Sequence, residues 1–533
     1  MNELLIILPI SLLFLTAAIL TGLQILKLKS GSTWLVSAIL AFVVWVIVML
    51  MRFRIPETLI FGSSKSIITL PFQYILLLDK ISWPYAWGLS ASLLALILVS
   101  ATQLSSSLSN RPDRWAWPIN LVFGGLGLLA VFSGNLYTMI LSWAAIDLIW
   151  LFLMLSKAHD HQVALITFTI RAFGLFLAIN ASYTRPLGEP IIFPIINAPI
   201  NTLLFMSALV RILSIGWSRK LIGQSDQNQT NSPFIDIVVA ATALITVTRS
   251  ATGLDMRLIQ TIIVLTGAIG VICGIAWLLL AKERSNSSFW LVGVSTLAAA
   301  AAAQGETQAS LAWGIVLLLP GSFLLYYLAK FRFFIVLLVT AVIGISTLPF
   351  TPAWQGIRLY PLPGEILGHS VGWIVLLITQ TMLTAGFIRS LLQPRESVSG
   401  AERWIWSIYP IGLAILLLTQ IMIFIFGLPG LANDLQAFPP LTLAWANLAI
   451  LILTVSGLWI SRTPSERLER IRVRLTTITL YESIFRTMRG VFRFISILVH
   501  FMNQILEGEG GIIWTLLILI LLFALFYQFG IGI

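Results

Sequence analysis

LYTMILSWAAIDLIWLFLMLS, residues 136–156, decides the fold. Its only charged residue is Asp147, and its length matches the ~20 apolar residues a helix needs to cross a bilayer. Working outward, runs of this kind fill most of the chain. They predict sixteen transmembrane helices, at 3–26, 33–51, 84–106, 115–133, 136–156, 162–183, 198–218, 234–252, 257–281, 287–303, 307–329, 333–357, 365–391, 404–427, 440–460 and 511–530. The fold class is therefore an all-α polytopic membrane protein. Of the 533 residues, 58% are apolar and 10% charged. A soluble domain carries about a quarter charged residues, so this material has lipid as its solvent. The composition excludes a soluble enzyme and a disordered chain.

The net charge of +11 does not point to nucleic acid, because Lys and Arg in the loops of a membrane protein set its topology. Cys273 is the single cysteine, so no disulfide framework and no cysteine-based metal site are expected. With four histidines and one cysteine, neither haem nor an iron–sulfur centre is expected, and no cofactor is assigned. No phosphate-binding glycine loop, zinc spacing or dinucleotide fingerprint is present. The first run, from Leu4 to Leu26, lacks a basic leader and a small-residue cleavage site, and reads as a retained helix rather than a signal peptide.

Two stretches do not read as spans. Residues 52–83 form a long loop containing the strand-like segment FQYILLLD. Residues 462–505 are charge-rich: Arg467, Arg470 and Arg474 recur at helical spacing, with Leu468, Ile471, Leu475 and Ile478 on another face. That pattern predicts an amphipathic helix on the membrane surface. Lys and Arg concentrate in the loops after odd-numbered helices, which places those loops in the cytoplasm. Both termini then face outward, the surface helix lies on the cytoplasmic side, and a bacterial inner membrane is the expected location.

Charges at membrane depth are costly and mark candidate functional residues. These are Asp147, Arg171 and Arg211 in the fifth, sixth and seventh helices, and Asp236 and Arg249 toward the two ends of the eighth. Arg358, Glu365 and His369 surround the break between the twelfth and thirteenth. Asp147, Arg171 and Arg211 read either as an ion pair fastening a bundle or as part of a polar relay. Arginine favours the first, since it keeps its proton. Arg249 reads as a side chain that snorkels to the interface. His369 has the pKa range of a switch, although a lone histidine beside a helix start is commonly structural. ISTLPFTPAWQGIRLYPLPGE carries Pro349, Pro352, Pro361 and Pro363, which predict a broken helix near 349–358 or a loop at a helix end.

The order of these features resembles the antiporter-like proton-translocating membrane subunits of respiratory complex I (NADH:quinone oxidoreductase) and Mrp-type Na⁺/H⁺ antiporters. The likeness rests on LLLDKISW (76–83), GNLYTMILSW (134–143), ALVRILSIGW (208–217), VAAT (239–242), AKERSNSSFWLVGVSTLA (281–298) and LPFTPAW (348–354). A fifteenth helix, the amphipathic segment and a last anchor follow, similar to the lateral and terminal helices of the family's distal subunit. The resemblance implies antiporter-like inverted repeats. The expected divisions are N-terminal helices at 1–114, repeats at 115–253 and 254–391, C-terminal core helices at 392–461, the surface helix at 462–505 and the anchor at 506–533.

Departures from the family pattern fall on its proton-carrying positions. Its glutamate after the tryptophan of the fifth helix is Ala144 here, with Asp147 three residues on. Its lysine in the seventh helix is Arg211, its histidine in the eighth is Val239, and its lysine in the twelfth is Ile357, with Arg358 one residue late. Its lysine and histidine in the eleventh have no counterpart. The resemblance thus implies a divergent, non-catalytic membrane-arm subunit, structural or only partly active in ion translocation, with other membrane subunits as partners and no nucleic acid. The alternatives are an active H⁺ or cation transporter with an altered relay through Asp147, Arg211 and the proline break, or an unrelated polytopic transferase.

Overall fold

The computed structural model describes residues 5–26, 30–61, 74–103, 115–157, 161–183, 192–193, 197–220, 233–251, 253–280, 287–327, 335–349, 351–361, 372–393, 403–426 and 441–462. The chain divides into two compact units, residues 1–463 and 464–533. The second unit, with the expected surface helix and the anchor at 511–530, lies outside the described residues.

Fifteen α-helices lie in the first unit among the described residues, and they follow the apolar runs. The first four are α1 (Ile7–Ile25), α2 (Ser30–Leu50), α3 (Ser82–Val99) and α4 (Ala116–Val131). Next come α5 (Leu136–Lys157), α6 (His161–Tyr183), α7 (Ala198–Lys220) and α8 (Pro233–Ser250). The second half holds α9 (Met256–Leu280), α10 (Ser287–Ala303), α11 (Thr307–Tyr326), α12 (Ile335–Ile345) and α13 (Gly372–Leu392), followed by α14 (Arg403–Ile425) and α15 (Ala444–Arg462). Eleven described helices are long and apolar enough to span a membrane. The protein is an integral membrane protein, and fifteen of the sixteen expected helices are present among the described residues, the sixteenth lying outside them.

Packing, rather than amphipathicity, sorts these helices. Almost every residue of α3, α8, α10 and α11 is buried, and they form the centre. The outer helices turn large apolar side chains outward, such as Phe152 on α5, Phe176 on α6, Val264 on α9 and Leu448 on α15. In lipid such exposure is ordinary, and helices associate through close fit. The alanine run 298–303 of α10 supplies that fit at the centre.

The loop 52–83 is more ordered than its sequence implied. Strand β1 (Glu57–Phe61) pairs antiparallel with β2 (Tyr74–Leu78), Glu57 opposite Leu78 and Phe61 opposite Tyr74. The hairpin is stitched to the α4–α5 connection: Leu77 N donates to Phe132 O at 2.7 Å, and Gly134 N donates to Ile75 O at 2.7 Å. A side chain at position 134 would not fit there, since a Cβ would lie 2.8 Å from Ile75 Cγ2.

The break is present. The run expected to be helical over 333–357 stops at Ile345 and resumes only as a 3₁₀ turn, Trp354–Leu359. Pro349 and Pro352 lack the amide donors that a continuing helix would need. The third helix begins at Ser82, earlier than 84, because Asp79 and Ser82 exchange hydrogen bonds across its start. Asp79 N donates to Ser82 Oγ at 2.8 Å, and Ser82 N donates to Asp79 Oδ1 at 2.6 Å.

Candidate functional site: a buried ion-pair cluster

The charged residues of α5 to α8 meet inside the bundle. Asp147 accepts two hydrogen bonds from Arg211, Nη1 to Oδ2 at 2.5 Å and Nη2 to Oδ1 at 3.1 Å. This forked geometry is available to a guanidinium and not to an ammonium. Arg171 Nη1 stands 3.8 Å from Asp147 Oδ1, outside hydrogen-bond range. Both arginines are fully buried, and each lies over an indole: Arg211 over Trp143 and Arg171 over Trp150, both at 4.3 Å. Asp236, also buried, is near enough to act on the Arg171 charge. It occupies the first turn of α8, where the helix dipole favours an anion.

Local sequence fixes this arrangement. Arg171 Nε donates to Ser214 Oγ at 3.1 Å, and Ser214 Oγ donates to Arg211 O at 2.6 Å, so one hydroxyl on α7 links both arginines. Ser207 Oγ donates to Gly174 O at 2.5 Å. A Cβ on Gly174 would stand 2.9 Å from Arg211 Cγ and 3.1 Å from Ser207 O. The glycine lets α6 and α7 approach while the arginine stem passes between them. Among the described residues, four helices thus supply two cations and two anions.

Arg249 does not snorkel. It is buried, donates to Ser133 O, lies 5.2 Å from the Phe193 ring and pairs with Asp79 at 3.4 Å. Burial raises the Asp79 pKa, but the Arg249 charge and the hydrogen bonds from Ser82 outweigh it and hold the carboxyl below its ordinary value. Arg358 stands 3.9 Å from Glu306 with both side chains partly exposed. Glu365 and His369 lie outside the described residues.

The second half is built differently. Helices α10, α11 and α12 contain no Asp, Glu, Lys, Arg or His, and the charges of α9, α13, α14 and α15 sit only at or near helix ends. Among the described residues, four of its interior polar groups are neutral and hydrogen-bonded in series. Tyr360 Oη donates to Gln380 Oε1 at 2.5 Å, Gln380 Nε2 donates to Thr347 Oγ1 at 3.0 Å, and Thr347 Oγ1 donates to Asn447 Oδ1 at 2.7 Å. Gln420 Nε2 donates to Gly344 O at 2.8 Å, which occupies a carbonyl at the broken end of α12. The break is therefore tied to α13, α14 and α15 by amides and hydroxyls.

Similar folds occur among solved structures. A chain of the Mrp complex from Dietzia sp. DQ12-45-1b superposes with a TM-score of 0.66 at 13% identity, over 98% of this chain and 62% of that one. A chain of the membrane-bound sulfane sulfur reductase, an archaeal respiratory membrane complex, gives 0.63 at 13%, over 97% and 99%. A chain of respiratory complex I from Thermus thermophilus, with bound aureothin, gives 0.54 at 15%, over 81% and 100%. These three chains share this chain's fold. No protein-family model and no curated protein matches the sequence. The chain spans about three fifths of the Mrp chain it matches.

Within this fold, the structure brings together Asp147, Arg171, Arg211 and Asp236 and separates them from Arg249 and Arg358. Sequence reading missed Asp79 and Glu306 as partners, and the amide chain altogether. The only signal for that chain was the placement of Gln380, Gln420 and Asn447, three amides in otherwise apolar runs.

Proposed function

We propose that this protein is a membrane-arm subunit of an Mrp-like or complex I-like assembly that retains the antiporter scaffold without a complete proton path. It braces or couples to its neighbours and holds no redox cofactor. The observation that carries the reading is the chemistry of the interior. In the first half, Asp147 is held by a guanidinium that does not release its proton in water. In the second half, the hydrogen-bonded series of Tyr360, Gln380, Thr347 and Asn447 consists of amides and hydroxyls, which do not titrate in the physiological range. A relay needs groups that bind and release protons in turn.

The test is ion flux. Purified protein in liposomes carrying a pH-sensitive dye should show no H⁺ or Na⁺ movement above protein-free vesicles under an imposed gradient. Flux that is lost on Asp147→Asn would overturn the reading and favour an active transporter with an altered relay.

A further inference from the structure

Strand β1 is the outer strand of the hairpin, and its free edge follows from the hydrogen-bond pattern. In an antiparallel pair, successive residues alternate between facing the partner strand and facing away from it. Leu77 N donates to Phe132 O and Ile75 O accepts from Gly134 N, so Ile75 and Leu77 face the α4–α5 connection. Tyr74, Leu76 and Leu78 therefore face β1, where they lie opposite Phe61, Leu59 and Glu57. Thr58 and Ile60 are left with their amides and carbonyls turned away from the sheet. Among the described residues no backbone group pairs with them on that side, and both residues are exposed. Each offers one donor and one acceptor along an open edge.

Such an edge is a template for another strand, and proteins that must avoid pairing blunt it with a charge, a proline or a bulge. Thr58 and Ile60 carry neither charge nor proline, and the register through them is unbroken. The surroundings select the partner. Arg54 and Lys80 flank the end of the hairpin where Glu57 meets Leu78. Both are exposed, and neither forms an ion pair among the described residues. Glu57 is half-buried and sets one negative charge against these two positive ones. We infer that the β1 edge binds an extended, acidic segment of a neighbouring membrane subunit as an added strand. The backbone of that segment pairs with Thr58 and Ile60, and its carboxylates meet Arg54 and Lys80. The inference rests on the multisubunit reading above and deepens it, by naming one surface of contact.

The experiment compares the full chain isolated in mild detergent with its neighbouring subunits and the same chain stripped of them. Hydrogen exchange resolved to single amides needs no variant. The Thr58 and Ile60 amides should exchange at least about tenfold more slowly in the assembly, whereas the Leu59 amide, which faces β2, should be protected in both. Ile60→Pro removes one outward donor and leaves the ladder to β2 in place. It should lower recovery of the neighbouring subunit at least about fivefold in native mass spectrometry, with the melting temperature of the stripped chain unchanged. If Ile60→Pro does not fold, the exposed pair Arg54→Glu with Lys80→Glu replaces it, and the same release is expected. Equal exchange of Thr58 and Ile60 in the assembly and in the stripped chain overturns the inference. A mass of two copies of this chain that Ile60→Pro separates also overturns it, by giving the edge to a second copy. Wild type recovered with no other subunit is a different failure, and it overturns the multisubunit reading itself.

Discussion

Asp147 is a carboxylate with almost no exposed surface and two guanidinium groups beside it. Removing one partner of such a pair leaves a buried charge that nothing neutralises, and this typically costs about 3–5 kcal/mol. Asp147→Asn keeps the volume and removes the charge, so it should lower stability to unfolding in detergent by that order. Replacing both Asp147 and Arg211 by apolar residues of similar size should recover much of the loss, because the desolvation of both ions is relieved together. A double variant as unstable as Asp147→Asn would mean that the pair matters through Arg171 and Asp236 and not through its own bond. These four residues were legible as candidates, since a charge in an apolar run stands out in any sequence. Their pairing was not, because the spacing of charges on separate helices does not say which faces meet.

At the scale of elements, the sequence carried the helices and the break but not what holds the break. Prolines declare where a helix cannot continue, so Pro349 and Pro352 were readable. The clamp of Tyr360, Gln380, Thr347 and Asn447 draws on four separate segments, and neutral polar residues carry no mark of partnership. Gln380→Leu would leave the Tyr360 hydroxyl without its acceptor and Thr347 without its donor. We expect a loss of about 1–3 kcal/mol in unfolding measurements. The loss should be independent of pH between 5 and 8, because no group in the clamp titrates there. A pH-dependent effect in that window would place an ionisable group in contact with the clamp. Strand β1 was missed for a related reason: it pairs with β2, and the residues Glu57–Phe61 do not themselves say which segment they meet. Asp79 also belongs to this scale, since it both caps α3 and pairs with the end of α8. Its pKa is lowered on folding, so its contribution to stability is complete above the ordinary carboxylate value of about 3.9 and is lost as pH falls through the lowered value. The difference in melting temperature between wild type and Asp79→Asn should therefore be constant near neutrality and shrink in acid. A difference that grows on acidification would contradict the pairing.

The first unit presents one helical fold with two unlike interiors. Charge is gathered in α5 to α8, while the described interior of the second half is neutral. A chain built to move ions by itself has reason to keep ionisable groups along its whole path. A chain kept for its shape has reason to keep only those that hold shape, and to spend its outer surface on contacts. The three chains compared above come from larger membrane complexes. On the proposed function, isolation in a mild detergent followed by native mass spectrometry should recover this polypeptide with other membrane subunits. The association should be lost in a harsher detergent before the fold is, because contacts between apolar helices in lipid rest on close packing that detergent replaces. The clamp and the ion-pair cluster lie inside the chain and should survive that step. The two transitions should thus be separable: dissociation first, then loss of helix signal on heating. Recovery of this polypeptide alone across mild detergents and native membrane discs would remove the reason for a preserved but non-conducting scaffold. An active transporter would then become the better account of the Asp147–Arg211 pair.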